Sequence, residues 1–296
     1  MQIRLLDHAD VRACLERWPL PGVESELALR VVSRGVAEHR LRGALIRDPA
    51  TGQVLGYGVS GFSRSAFTER MLEGEAPLVA SHLHAEAAGT QIYLRPDELS
   101  AAQRQGDLQL VVLAYQQHTF AVEDPRSHEL LDAGHAAYRL LHEGYALRGV
   151  WQEGHESDAP WMHAGGYLSK RRYAPTAQGQ RVLYGTLRHE IGPSWPSHTV
   201  SFLFREHTHR LHLSRMQRRV AELALWHLSD EQVAQRLSIS TATVRRHWRG
   251  IFERLEDSHA HLMDAHASAE PGLRRGPEKR GRVLEFLRVN LHEVRP

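Results

Sequence analysis

LSDEQVAQRLSISTATVRRHWRGIFERL, residues 228–255, reads as two amphipathic helices joined by a short turn. Ser229 is a good N-cap, and Gln232 three residues on completes a capping box. Leu228, Val233, Ala234 and Leu237 give the first helix its buried side. Ser238-Ile239 makes the turn, with Ile239 directed into the core, and Ser240 caps the next helix. That helix buries Val244, Ile251 and Leu255, with Trp248 or His247 in part. Its other side carries Arg245, Arg246 and Arg249, and Arg245 and Arg249 lie one turn apart on one face. Upstream, Ser214 precedes a helical run over 215–226 with Val220, Leu223 and Ala224 as its apolar stripe.

A helix fits the DNA major groove, where arginine pairs bidentately with guanine O6 and N7. Arg245, Arg246 and Arg249 are therefore the expected base-reading residues. Ser240, Thr241 and Thr243, at the helix start, and Arg254 are expected on phosphate. The formal charge of the whole chain is only +2, which excludes a general nucleic-acid glue. The positive charge is concentrated locally, since residues 210–255 carry Arg210, Arg215, Arg218, Arg219 and Arg236 besides the arginines above.

Leu213 to Leu255 resembles the LuxR-type helix-turn-helix of bacterial transcription regulators. The matching residues are Leu213, Ser214 and Val220; Leu228-Ser229-Asp230-Glu231-Gln232-Val233-Ala234; Leu237-Ser238-Ile239-Ser240; and Thr243-Val244-Arg245-Arg246-His247. The resemblance implies that bases are read from Arg245, Arg246 and Arg249. The chain departs from the family at Met216-Gln217-Arg218-Arg219, where Arg-Glu-x-Glu is usual. It departs again at His227, where a glycine is usual. In this family a fourth helix serves dimer formation, and residues 256–267 fill that slot with Leu262, Met263 and Ala265.

The length of 296 residues suggests two domains. Cys14 is the only cysteine, so an intrachain disulfide is excluded; its simplest role is a small buried apolar residue. The start of the chain has no signal-peptide layout and no window approaches a membrane span, so a cytoplasmic protein without membrane contact is expected.

Residues 1–206 read as a mixed α/β input domain. The expected elements are a strand at 2–6, helices at 8–18 and 23–39, and a hairpin of 41–47 with 53–62. Helices near 64–73 and 96–104 follow, then a strand at 108–115, a helix at 127–143 and strands at 147–153, 181–190 and 198–206. Gly192-Pro193-Ser194-Trp195-Pro196 separates the last two strands. Two fold classes fit: a sensor of PAS/GAF-like type, and an acyltransferase of the GNAT class, to which the element order is similar. That class binds acyl-coenzyme A phosphates at a Gly-rich loop opening the long helix. The corresponding segment VEDPRSHELLDAGHAAY (122–138) lacks the Gln/Arg-x-x-Gly-x-Gly pattern, giving a degenerate GNAT-like domain.

No catalytic residue and no cofactor emerge, and the chain is expected not to be an enzyme. The histidines, including His207, His209 and His212, read as compositional rather than as a metal site. The expectation is a two-domain transcription regulator. It comprises an α/β input domain at 1–206, a connector at 207–212, an all-α LuxR-type module at 213–267 and a basic tail at 268–296; the alternative is a regulator whose N-terminal domain is an acyltransferase-like (GNAT-type) acyl-coenzyme A-binding domain or enzyme. The tail carries an amphipathic helix with Val283, Leu284, Leu287 and Leu291 on one stripe. Its expected packing is on its own domain, with a dimer or interdomain contact as the alternative and Arg274, Arg275, Lys279, Arg280 and Arg282 available to phosphate. The expected partners are double-stranded DNA, a second copy of the chain, and a small-molecule ligand in the N-terminal domain.

Overall fold

The computed structural model describes residues 1–74, 76–121, 123–176, 179–192, 198–264 and 275–296. The chain divides into two compact units: Met1–His142 with Ala146–Arg205, and Glu143–Tyr145 with Glu206–Pro296. No helix among the described residues is long and apolar enough to cross a membrane.

In the first unit β1 (Gln2–Leu5) leads into α1 (His8–Arg17) and α2 (Ser25–Ala37). A hairpin of β2 (Leu41–Arg47) and β3 (Val54–Arg64) follows, then α3 (Ser65–Glu73), α4 (Leu78–Ala87) and α5 (Pro96–Arg104). The second half runs β4 (Leu108–Gln117), α6 (Arg126–His142), β5 (Gly149–His155), α7 (Ala159–Gly165), β6 (Leu168–Arg172) and β7 (Arg181–Leu187). These strands form one sheet in the order β1-β2-β3-β4-β5-β7-β6. β4 and β5 pair in parallel and the other neighbours pair antiparallel. A parallel pair needs a crossover, and α6 supplies it.

The sheet is covered on both faces because β2 alternates two apolar sides. Leu45 joins the core made with Val31 and Val32 of α2. Its neighbour Ile46 packs with Leu130 and Ala133 of α6. The hairpin turn forms as its Asp-Pro and Gly residues demand: Asp48 Oδ1 accepts from Ala50 N at 2.8 Å, and Gly52 takes a φ of 70°.

Several expectations are corrected. The apolar run at 198–206 is not a strand; Thr199–Phe204 forms a 3-10 helix. Val200, Phe202, Leu203 and Phe204 are all buried there, so the alternation of a half-exposed strand is absent. The last two strands are instead β6 and β7. Residues 193–197, expected to separate the last strands, lie outside the described residues. α4 was not anticipated: its broad buried face, Leu78, Val79, Ala80, His82, Leu83 and Glu86, includes a histidine and a glutamate, so the apolar stripe is interrupted in the sequence.

His82 carries a pH prediction. Its ring is fully buried beside Phe67 and Tyr93, with Nδ1 3.2 Å from the Tyr93 hydroxyl. Burial pulls its pKa down from 6.5 to about 4. The unfolded chain therefore binds this proton first, and stability is lost as pH falls from about 6.5 to about 4. The full loss is about 3 kcal/mol. Urea titrations across that range should show the loss in the native chain and a flatter profile in His82→Phe.

The second unit contains α8 (Arg215–Leu225), α9 (Asp230–Leu237), α10 (Thr241–Asp264) and α11 (Arg275–Val289). Ser214 with Gln217 and Ser229 with Gln232 form capping boxes. Ser240 Oγ accepts from Thr243 N at 3.0 Å. The helix expected separately over 256–267 is continuous with its predecessor, since α10 runs unbroken to Asp264. Ala265 and most of the break expected over 267–276 lie outside the described residues, as do the side chains of Leu262 and Met263.

α11 packs on α8 and α10 within this unit. Val283, Leu287 and Leu291 are buried and Leu284 is half-buried. Two basic residues of the tail are engaged locally. Lys279 lies over the Phe252 ring, and Arg280 lies over the Trp248 ring and donates to Asp230 at 2.7 Å. Arg274 and the Arg275 side chain are outside the described residues. The chain end is fixed as well: buried Glu293 accepts from Arg210 N at 2.8 Å and Leu211 N at 3.1 Å.

His227, where the resembled family has glycine, takes a φ of 62° after α8. A side chain in this left-handed conformation costs about 1–2 kcal/mol. His227→Gly should therefore raise unit stability by about 1 kcal/mol, seen as a higher melting temperature. An unchanged or lower value would mean that the His227 ring, 3.5 Å from Arg288 Nη2, gives back what the backbone loses.

Candidate functional site

The sheet parts where its parallel pair ends. β4 and β5 are in register from Gln109↔Gly149 to Val112↔Gln152, yet β4 continues to Gln117 and β5 to His155. Beyond Val112, the β4 amides that a continuing sheet would pass to β5 have no partner on that strand. A bulge adds to the opening: Val59 faces Ala114 but Ser60 faces Val112, so Leu113 is skipped in the pairing with β3. Bulges bend a strand and re-aim its side chains.

A cavity of about 340 Å³ lies at this opening, floored by β3 and β4 and walled by α6, α7 and the start of the 3-10 helix Thr199–Phe204. That volume sits at the low end for small-molecule sites. Its lining is dominated by apolar groups such as Ile46, Val112, Ala114, Leu141 and Val200. Gly134 on α6 lets the Tyr115 hydroxyl approach the helix backbone, and a Cβ there would displace it. Leu131 and Trp161, also lining residues, are 52% and 81% exposed and leave an apolar rim.

Few polar groups enter. Ser60 Oγ and His142 Nε2 are 2.6 Å apart, both side chains buried. The Tyr138 ring stands against the His142 ring, centroids 4.5 Å apart. The Tyr138 and Tyr167 hydroxyls meet at 3.1 Å. Burial pushes the Tyr138 phenol well above its ordinary range and the Tyr167 phenol to about 12. Both stay protonated at neutral pH and can donate hydrogen bonds.

The start of α6 lacks what a pyrophosphate needs. Residues 117–126 contain no glycine. Asp124 Oδ1 already accepts from Arg126 N at 3.0 Å, and the Arg126 guanidinium is folded onto the same carboxylate. That pairing holds the Asp124 carboxyl below the usual carboxylate range. A phosphate arriving here would meet a fixed negative charge with Glu123 beside it.

The element order and the mixed sheet of residues 1–205 resemble the GNAT acyltransferase fold. No family model matches the chain, and no curated protein matches it. Among solved structures, a mosquito arylalkylamine N-acetyltransferase-like protein is similar at 12% identity and a TM-score of 0.39, over 62% of this chain and 98% of its own. A Drosophila melanogaster polyamine N-acetyltransferase is similar at 15% identity and 0.36, over 62% and 98%. An N-acyl amino acid synthase from uncultured soil microbes is similar at 12% identity and 0.37, over 69% and 97%. The expectation that the chain is not an enzyme is overturned by this likeness and is withdrawn.

In the second unit the structure places Arg245, Arg246 and Arg249 on the exposed side of α10. Val220, Val233, Ala234, Val244, Ile251 and Leu255 are buried, whereas Leu223, Leu228, Leu237 and Ile239 are half-buried. Ala221, Leu225, Trp226 and Trp248 are buried as well. Of the residues expected on phosphate, Ser240 and Thr243 share a hydroxyl contact of 2.8 Å and Thr241 opens α10. Arg254 is exposed, with Nη1 3.5 Å from the Leu211 carbonyl. His207, one of the connector histidines, stacks on His292 with centroids 4.5 Å apart.

Pocket residues were the main omission of the sequence reading. Ser60, His142, Tyr138 and Tyr167 carry no local motif. Only the hairpin read over 41–47 and 53–62 and the helix read over 127–143 pointed toward the elements that carry Ser60, Tyr138 and His142.

Proposed function

We propose that the chain is a DNA-binding transcription regulator whose N-terminal unit is an acyltransferase-type domain that binds an acyl group. The observation carrying the reading is the largely apolar cavity where β4 and β5 part, with the Ser60–His142 and Tyr138–Tyr167 contacts among its lining. An acyl chain suits such a lining because burying each methylene contributes about 0.8 kcal/mol. Its carbonyl meets donors at Ser60 and the tyrosines.

The C-terminal unit is proposed as the LuxR-type reader. Arg245, Arg246 and Arg249 are exposed on one helix whose other side is buried, the requirement for a helix entering the major groove. Two copies of the chain are proposed to bind paired half-sites, since one short helix reads few base pairs. Phosphate contact makes the affinity fall with salt.

Mass spectrometry of the denatured chain tests the pocket reading. An acyl compound should be released from the native protein and lost from Gly134→Leu, whose side chain occupies the cavity. A native-like circular dichroism spectrum with ligand content unchanged in Gly134→Leu would overturn the pocket assignment.

A further inference from the structure

Resting on the acyl-binding reading, we propose that Ser60 is an acyl acceptor and His142 its base, so that the pocket takes an acyl thioester and retains the acyl group as a serine ester. A hydroxyl becomes a useful nucleophile when an imidazole sits within hydrogen-bond reach. Ser60 Oγ and His142 Nε2 meet that condition at 2.6 Å. Both residues line the cavity that the acyl chain would fill. The imidazole is held in place, with the Tyr138 ring 4.5 Å away and the Phe62 ring 6.3 Å away, both edge-on.

In the step, Ser60 Oγ attacks the thioester carbonyl carbon while its proton passes to His142 Nε2. The C–O bond forms, the C–S bond breaks, and the same proton goes to the departing sulfur. The products are the Ser60 ester and a free thiol, and no oxidant or reductant is needed. Negative charge develops on the carbonyl oxygen beside the parted strands, where β4 amides beyond Val112 have no β5 partner. Such amides stabilise an oxyanion when they are fixed and shielded from water.

The donor class follows from the start of α6. Asp124 occupies the helix amide there and Glu123 adds charge, so recognition does not run through a nucleotide pyrophosphate at that point. The donor is accordingly an acyl thioester of a small thiol that carries no nucleotide.

The full chain is incubated with decanoyl-N-acetylcysteamine, and with decanoyl-coenzyme A in a separate arm, and its intact mass is followed. A single decanoyl adduct is expected from the small thioester, released by hydroxylamine and mapped to the peptide containing Ser60. Ser60→Ala should give no adduct and His142→Gln should form it about a hundredfold more slowly. Ser60→Cys should form it again as a thioester, which shows that the site still folds. Decanoate binding is measured on the same proteins. Binding without any adduct in the native chain overturns the transfer step and leaves the pocket reading standing. Absence of binding in the native chain overturns both. An adduct persisting in Ser60→Ala, or formed only from decanoyl-coenzyme A, also overturns the proposal.

Discussion

The double variant Arg245→Ala/Arg249→Ala is expected to lose about 2–6 kcal/mol of specific DNA affinity while melting like the native chain. Each arginine that reads a guanine edge contributes about 1–3 kcal/mol, and the range is the sum of the two, with coupling between positions one turn apart moving the total within it. The separation from stability is the sharper part of the expectation. Both side chains are exposed, and neither has a resolved role in the packing of α10, which rests on Val244, Trp248, Ile251 and Leu255. Glu231 is the nearest complication. Its carboxyl is held below the usual range by its own backbone amide and the Ser229 hydroxyl first, with smaller contributions from Arg245 and Arg280. Fluorescence anisotropy on a duplex selected by the native chain from a random-sequence pool, against its scrambled counterpart, separates the contributions. Loss on both duplexes alike would reassign the arginines to phosphate, and no loss on either would remove α10 as the reading helix.

The elements legible in the sequence are those whose determinants are local. Ser214, Ser229 and Ser240 announce helix starts because a cap acts over three residues. β4 is legible because Leu108 to Ala114 form an unbroken buried run, as a central strand requires. β6 was missed for the opposite reason. Leu168 is exposed and the run LSKRR has no apolar face, so that strand exists through its pairing with β7. The candidate site was illegible in another sense. Ser60 and His142 are 82 residues apart, and neither stands in a pattern of any length. Only the packing of α6 against β3, a tertiary event, brings a hydroxyl and an imidazole to the same cavity.

Glu86→Ala is expected to destabilise the first unit by about 3–5 kcal/mol, the usual cost of leaving a buried ion pair half-filled. Glu86 is 2% exposed, and its Oε2 accepts from Arg40, itself 6% exposed. Its Oε1 accepts from Ile92 N at 2.8 Å and Tyr93 N at 3.0 Å. Truncation thus leaves the buried Arg40 guanidinium to Glu38 at 2.7 Å, removes the ion pair of Arg34 at 3.8 Å, and strands two backbone amides. Urea unfolding should show the loss. Replacing Arg40 and Glu86 together by methionine should recover much of it, because the buried charge is then gone. A loss below about 1 kcal/mol in Glu86→Ala would mean that water reaches the stranded groups. The effect should extend to the pocket by a short physical route. Glu86 fixes the backbone of Tyr93, whose ring rests on the bare Cα of Gly61 in β3. Gly61 and Ser60 are adjacent and face opposite sides of the strand. Loosening Tyr93 therefore loosens the strand that aims Ser60 at His142. Glu86→Ala, assayed at a temperature where it remains folded, should acylate more slowly than the native chain, whereas the methionine pair should restore both stability and rate.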